Sequence, residues 1–167
     1  MKNLFLLIIT AFVVLTGCGG AKEEAVKIPG MMPLDLSSHG LPVIINVPDS
    51  SKGKLEVIDQ SWGATEIKVG KEFQISVSAG EGDMALAKSD VAGNDVNKFK
   101  RYVVDEPEAI LYESAITEPE FHFYSVIKVG DASYVVEDIK GEMFSEKSAQ
   151  TMLQSAKGMK AKEKQES

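Results

Sequence analysis

The sequence predicts an α+β fold, which consists of a mostly antiparallel β-sheet with one or two helices packed on it and a C-terminal amphipathic helix. The strand prediction depends on several short runs between residues 43 and 139 in which apolar and polar side chains alternate. Such alternation is typical of strands with one buried and one wet face, as in antiparallel sheets. The helix prediction depends on residues 145–158, where apolar side chains recur at helical spacing.

Six runs are predicted to be strands, and glycine-containing turns join two pairs of them. A Gly-first loop of two residues between alternating runs is typical of a type II′ hairpin. Gly70-Lys71 provides such a loop, and Gly130-Asp131 joins a second hairpin. The predicted strands cover residues 43–47, 55–59, 65–69, 73–79, 121–129 and 133–139, with shorter extended segments at 103–104 and 109–112.

Two helices are predicted from their capping residues and from apolar spacing. Asp83 is a suitable N-cap for the first helix, whose apolar positions are Met84, Ala87 and Val91. Ser145 is a suitable N-cap for the second, and Gly158 is a typical residue at its end. The second helix has apolar positions Ala149, Met152, Leu153 and Ala156, and its opposite face carries Lys147, Gln150 and Gln154. We therefore expect one stripe of this helix to pack on the sheet.

The length of the chain predicts a single globular domain. Domains commonly have roughly 100–200 residues, and this chain has 167. Its predicted order is several antiparallel strands, a helix, more strands and a terminal helix. This order resembles that of small proteins of the PsbP/Mog1 type, and the resemblance implies a similar general fold.

The first eighteen residues predict export and lipidation. Met1-Lys2-Asn3 is followed by an apolar stretch from Leu4 to Leu15, interrupted by Thr10. This stretch is shorter than the about 20 residues that span a bilayer, and it is typical of a secretory signal peptide. The stretch ends in Leu15-Thr16-Gly17-Cys18, which resembles the lipobox of bacterial lipoproteins. The resemblance implies that Cys18 receives a diacylglyceryl thioether and becomes the acylated N-terminus after cleavage.

The predicted domain organisation follows from this motif. Residues 1–17 are the signal peptide, and residues 18–33 are the lipidated Cys and a flexible tether rich in Gly and Pro. Residues 34–158 form the globular domain, and residues 159–167 are a disordered Lys-rich tail. By resemblance, Gly19 after the Cys favours the outer membrane. Lys22-Glu23-Glu24 resembles an export signal of surface lipoproteins, so both the periplasmic face and the cell surface stay open.

The charge of the chain argues against nucleic acid as a partner. The net charge is −7, whereas phosphate binding needs clustered Lys and Arg. The most acidic segment, residues 105–120, contains six carboxylates and no basic residue: Asp105, Glu106, Glu108, Glu113, Glu118 and Glu120. We interpret it as a solvated acidic surface, with cation binding or a basic partner as the alternatives.

No cofactor, metal site or catalytic residue is predicted. Residues 80–85 match the letters of a dinucleotide fingerprint, but Glu81 and Asp83 would repel a pyrophosphate, so we interpret them as a strand-to-helix turn. His39 and His122 are not a spaced ligand pair. The only Cys is Cys18, which excludes an internal disulfide. No Gly-x-Ser-x-Gly elbow occurs.

Trp62 and Tyr124 are the candidate partner-binding residues. A lone Trp in a small domain is more often part of the core, but Trp is also enriched at binding hot spots. Tyr124 shares a strand face with His122 and Val126, and we expect this face to contact a helix or a partner.

The sequence thus predicts a lipid-anchored envelope protein that is held to the membrane by the acyl chains on Cys18. The leading hypothesis for its function is a non-enzymatic protein-binding or assembly domain with an envelope protein as partner. The first alternative is a small-ligand or cation-binding lipoprotein, which an apolar pocket with converging polar groups would favour. The second is a hydrolase, which a buried carboxylate or His of shifted pKa in a cleft would favour.

Overall fold

Within residues 29–162, which a computed structural model describes, the chain forms ten strands and two α-helices. The strands are β1 (Met31–Asp35), β2 (Val43–Pro48), β3 (Leu55–Asp59), β4 (Ala64–Val69), β5 (Phe73–Ala79), β6 (Lys98–Glu106), β7 (Ala109–Ala115), β8 (Pro119–Val129), β9 (Ala132–Asp138) and β10 (Lys160–Ala161). The helices are α1 (Met84–Ala92) and α2 (Glu146–Lys157). This is an α+β fold, so the predicted fold class is confirmed.

The strands form two antiparallel sheets. The larger sheet has the strand order β3-β4-β5-β9-β8-β7-β6, and the smaller sheet has the order β1-β2-β10. Every pair of neighbours in both sheets is antiparallel. Because β5 lies in the interior of the larger sheet and β6 at its edge, the connection between them passes β9, β8 and β7. This connection contains α1.

The core lies between α2, the smaller sheet and one face of the larger sheet. It is one continuous cluster of buried side chains, in which β2 contributes Val43, Ile45 and Val47, the larger sheet contributes Ile67, Ile75, Val77, Phe123 and Val136, and α2 contributes Ala149, Met152, Leu153 and Ala156. On α2, Gln150 and Gln154 are exposed. The hydroxyl of Ser145 accepts a hydrogen bond from the amide of Ser148 at 3.1 Å, so the predicted N-cap forms.

Both predicted hairpins form, but the first has a longer loop than predicted. Val129 pairs with Ala132, so Gly130 and Asp131 make a two-residue turn in which Gly130 has a φ of 61°. Val69 instead pairs with Phe73, which leaves three residues, 70–72, in the first loop. The prediction of a two-residue loop there is wrong. The additional residue, Glu72, accepts a hydrogen bond from the hydroxyl of Ser148, which joins this loop to α2.

The folded region extends beyond the predicted bounds of 34–158 at both ends. β1 begins at Met31, within the predicted tether, and β10 lies within the predicted disordered tail. Both strands pair with β2, and Lys162 Nζ lies 2.6 Å from the Asp35 carboxylate. The prediction missed them because such short strands are stabilised by their partner and not by a pattern of their own.

Residues 1–28 and 163–167 lie outside the described residues, and with them the predicted signal peptide, the lipobox and Cys18. In the part of the chain that the structure describes, neither helix has the length and apolar character needed to cross a bilayer.

Candidate functional site

A cleft of about 350 Å³ lies between α1 and the face of the larger sheet that points away from the core. Side chains of β7, β8 and β9 that alternate with core residues form its floor: Tyr112, Ser114, His122, Tyr124 and Glu137. α1 and the residues after it form the wall, with Ala87, Asp90, Val91, Asn94 and Asn97. Small-molecule sites commonly measure about 300–1,000 Å³, so the cleft is large enough for a small ligand.

The cleft exists because α1 lies over the larger sheet without packing tightly against it. Asp83 caps α1, as predicted, and accepts a hydrogen bond from the amide of Leu86 at 2.9 Å. Before the cap, Gly82 lies so close to β8 that a Cβ there would overlap the side chains of Val126 and Tyr124. No residue of α1 itself is fully buried. The segment before the helix therefore packs directly on β8, Lys88 ties the middle of α1 to Asp105 of β6, and residues 87, 90 and 91 border the space beneath the helix.

A buried cluster of three ionisable side chains lies at the floor of the cleft. His122 Nδ1 is 2.7 Å from Asp138 Oδ2, and His122 Nε2 is 3.8 Å from Glu120 Oε2. The side chain of His122 is 12% exposed, and those of Glu120 and Asp138 are 6% and 5% exposed. Within residues 29–162, Nε2 has no hydrogen-bond partner. The imidazole is thus held by Asp138 on one side and faces a carboxylate on the other.

The strand arrangement explains how Asp138 reaches His122. β9 ends at Asp138, where the carboxylate Oδ1 accepts a hydrogen bond of 2.7 Å from the amide of Phe123. The same carboxylate uses its second oxygen for His122, the residue before Phe123. Glu120 accepts a hydrogen bond from the hydroxyl of Ser114 at 3.3 Å. Both carboxylates are therefore hydrogen-bonded, as buried charges require.

The surroundings shift the pKa of several groups in the cleft. Burial alone lowers the pKa of His122, but the hydrogen bond and charge of Asp138, together with Glu120, raise it above its usual value. Burial raises the pKa of Tyr112, and nearby carboxylates raise it further, so this phenol stays neutral at physiological pH. Burial also raises the pKa of Glu137, and the charge of Asp138 adds to this effect while Lys140 opposes it.

The two candidate partner-binding residues lie in separate places. Trp62 is 63% exposed in the turn between β3 and β4, so it does not take the core position that a lone Trp more often has. This turn is closed by a hydrogen bond from the amide of Gly63 to the carbonyl of Gln60. Tyr124 is half-buried on β8 and lines the cleft. Since β3 and β8 are four strands apart in the sheet, the structure does not bring the two side chains together.

Most carboxylates of the acidic segment are paired with cations from other elements. The four ion pairs are Lys88 with Asp105, Lys157 with Glu106, Arg101 with Glu113, and Lys128 with Glu108. Glu120 is buried, so its interpretation as part of a solvated surface is wrong. The sequence did not indicate these pairs because the cations lie far along the chain from the segment or on neighbouring strands.

Within residues 80–85, residues 80–83 form the predicted strand-to-helix turn between β5 and α1, and residues 84–85 begin α1. β5 has antiparallel neighbours on both sides, whereas dinucleotide fingerprints belong to parallel βαβ units. Each of the two His residues has an acidic partner, Asp59 for His39 at 3.0 Å and Asp138 for His122. No group of three or more His, Cys, Asp or Glu side chains in residues 29–162 could hold a metal ion.

No protein family, curated protein or solved structure matches the chain.

Proposed function

We propose that this chain is a lipid-anchored envelope protein whose folded domain binds a small ligand in the cleft between α1 and the larger sheet, without catalysing a reaction. The observation that carries this proposal is the cleft itself, which combines a volume of about 350 Å³ with buried ionisable groups and tyrosines on one floor. A concave site with a few convergent polar groups is the usual form of a ligand site. The proposed anchor is the acyl group on Cys18.

The contacts of His122 favour binding over hydrolysis. A buried His of shifted pKa in a cleft is the feature expected of a hydrolase, and the Asp138–His122 pair resembles two members of a catalytic triad. In such a triad the second imidazole nitrogen contacts the nucleophile. Here Nε2 is buried and faces Glu120, and the nearby hydroxyl of Ser114 is bonded to Glu120. The pair is better suited to shaping and holding the floor of the cleft.

The experiment that tests this proposal places a larger side chain on α1, where it would fill part of the cleft. Ala87 lines the cleft, whereas Ala85 lies on the same helix and is exposed. Small molecules extracted from the producing cells are added to the ¹⁵N-labelled full chain in detergent micelles, and amide shifts are recorded by NMR. We expect saturable shifts at His122 and Tyr124 in the wild type and in Ala85→Trp, and their loss in Ala87→Trp.

Thermal unfolding of both variants accompanies this experiment and identifies any loss of folding. If Ala87→Trp proves unfolded, Ala87→Leu replaces it as a smaller obstruction. Shifts that persist in a folded, obstructed variant would contradict the proposal, as would an absence of shifts at the cleft in the wild type.

Protein binding through Trp62 is the second candidate function. A Trp side chain that is 63% exposed in a turn beside an edge strand is unusual for a surface without a partner, since Trp is enriched at binding hot spots. The test is a photo-crosslinking amino acid at position 62 in intact cells, with position 131 in the β8–β9 turn as the control. One specific adduct from position 62 that position 131 does not give would favour this function.

A further inference from the structure

The charges around the cleft point to the chemical class of its ligand, an inference that rests on the function proposed above. We infer that the cleft takes a small organic cation, with an ammonium group beside an apolar or aromatic body. Three features carry this inference: a half-buried carboxylate with weak compensation, an excess of acidic groups over cations facing the cleft, and two neutral tyrosine rings.

Glu137 is the carboxylate that lacks a close counter-charge. Its side chain is 26% exposed on β9, and its ion-pair partner, Lys140 Nζ, is 3.9 Å away on a side chain that is 87% exposed. A solvated lysine at this distance offsets little of the cost of burying a carboxylate. The raised pKa of Glu137 has the same cause, since burial disfavours its charged form. A ligand cation in the cleft would supply the missing compensation.

The other charges facing the cleft do not favour an anion. Asp90 adds a second carboxylate from α1, on the wall opposite the floor. His122 is held by Asp138, and Glu120 lies behind it, so the protonated cluster of these three groups carries one negative charge in total. Lys140 is the cation among the other lining residues, and it is exposed at the rim. An anionic ligand would therefore meet mainly repulsion.

Two tyrosines provide surfaces that suit an organic cation. Tyr112 and Tyr124 both line the cleft, and the ring of Tyr112 lies beside that of His122, with centroids 5.6 Å apart. Burial raises the pKa of both phenols, so both remain neutral. A neutral tyrosine attracts a cation through its ring face and offers a phenol oxygen as a hydrogen-bond acceptor. Its ring also packs against the apolar part of a ligand.

The experiment compares three probes of similar size and different charge. Benzylammonium, benzyl alcohol and benzoate are each titrated at neutral pH into the ¹⁵N-labelled full chain in detergent micelles, and shifts are followed at Tyr112, Tyr124 and Glu137. We expect benzylammonium to give saturable shifts at these residues, the alcohol to bind more weakly, and benzoate to give none.

A matched pair of variants tests the role of Glu137. Glu137→Gln keeps the shape of the side chain and removes its charge, so we expect the affinity for benzylammonium to fall at least about tenfold, the effect of losing a charge-assisted hydrogen bond. Glu108→Gln removes the same charge from an exposed turn outside the cleft and should leave the affinity unchanged.

Failure of this inference is distinguishable from failure of the proposed function. Tighter binding of benzoate than of benzylammonium at the cleft residues would overturn the inference and leave the ligand-binding function intact. Equal affinity in Glu137→Gln and in the wild type would also overturn it, as would the absence of shifts with all three probes. The proposed function itself is decided separately by the Ala87 and Ala85 variants with the cell extract.

Discussion

His122 links the protonation of the cleft to the stability of the fold. Its pKa is raised in the folded protein because Asp138 and Glu120 outweigh the effect of burial. A group whose folded pKa exceeds its unfolded pKa stabilises the fold fully below the unfolded pKa, about 6.5 for His. This stabilisation is lost as the pH rises through the folded pKa. The charged imidazole is therefore a stabilising group at mildly acidic pH.

The resulting prediction concerns the pH dependence of unfolding. For the wild type, the free energy of unfolding should fall as the pH rises from about 6.5 through the raised pKa of His122. In His122→Gln this part of the pH dependence should be absent. The measurement is urea unfolding at a series of pH values, with His39→Gln as the control at the other His. The same fall with pH in His122→Gln as in the wild type would assign it to another group.

At the scale of single residues, local patterns predicted some roles and missed others. The caps Asp83 and Ser145 were predictable because a cap depends on its own few neighbours. The exposure of Trp62 was not predictable, because the position of a residue in a turn does not determine whether other parts of the fold cover its side chain. The approach of Asp138 to His122 could have been found from register. A two-residue turn at Gly130-Asp131 brings Asp138 beside Phe123, the next residue after His122.

At the scale of elements, α2 stabilises the fold through one stripe of side chains. Leu153 is 3% exposed and Gln154 is exposed. Leu153→Asp should cost several kcal/mol because it buries an unpaired charge, whereas Gln154→Asp should stay within about half a kcal/mol. Urea unfolding of the two variants at neutral pH checks this prediction. Similar losses in both would mean that α2 packs with a different face from the one described.

β10 is expected to stabilise the fold through its contacts with the smaller sheet. Lys160 and Ala161 pair with β2, the amide of Lys162 donates to the carbonyl of Pro42 at 3.0 Å, and Lys162 Nζ contacts Asp35. Ending the chain after Met159 removes these contacts and should cost roughly 1–2 kcal/mol, since each net hydrogen bond contributes about 1 kcal/mol or less at an exposed edge. Ending it after Lys162 keeps them and should leave the stability unchanged. Equal unfolding midpoints of the two truncated chains would exclude a stabilising role for β10.

Elements with a strong pattern of their own were predictable, and elements that depend on a partner were not. The alternation in β4, β5, β8 and β9 and the spacing in α2 indicated these elements correctly. β6 was predicted only at residues 103–104, because Lys98, Lys100 and Arg101 leave little apolar alternation at this edge of the sheet. The cleft was not predictable, since it results from the path of the β5–β6 connection across the sheet.

At the scale of the whole molecule, the proposed anchor at Cys18 determines where the domain acts. One acyl chain alone gives marginal membrane binding, whereas two anchor a protein stably. Residues 34–156 hold 21 acidic and 11 basic side chains, so anionic lipid would repel the domain. Cys18→Ser should therefore abolish acyl labelling and lead to accumulation of the uncleaved precursor, because the sulfur that accepts the lipid is absent.

Metabolic labelling with a fatty acid, followed by fractionation of the envelope, measures this outcome. Ser37→Ala, in the short 3₁₀ turn after β1, serves as a control that should be labelled and processed like the wild type. Mature protein of wild-type mobility that still carries labelled fatty acid in Cys18→Ser would overturn the proposed anchor and the proposed localisation.

The two faces of the larger sheet differ in local stability. On one face α2 has six buried residues, four of which belong to the core cluster, while on the other no residue of α1 is fully buried. Opening of α1 therefore exposes little apolar surface and requires much less free energy than opening of α2. Amide hydrogens of α1 should exchange with deuterium far faster than those of α2, and bound benzylammonium should slow the exchange of α1 alone. A ligand can thus enter and leave the cleft by local opening of α1. The core on the opposite face of the sheet keeps the molecule folded during this opening.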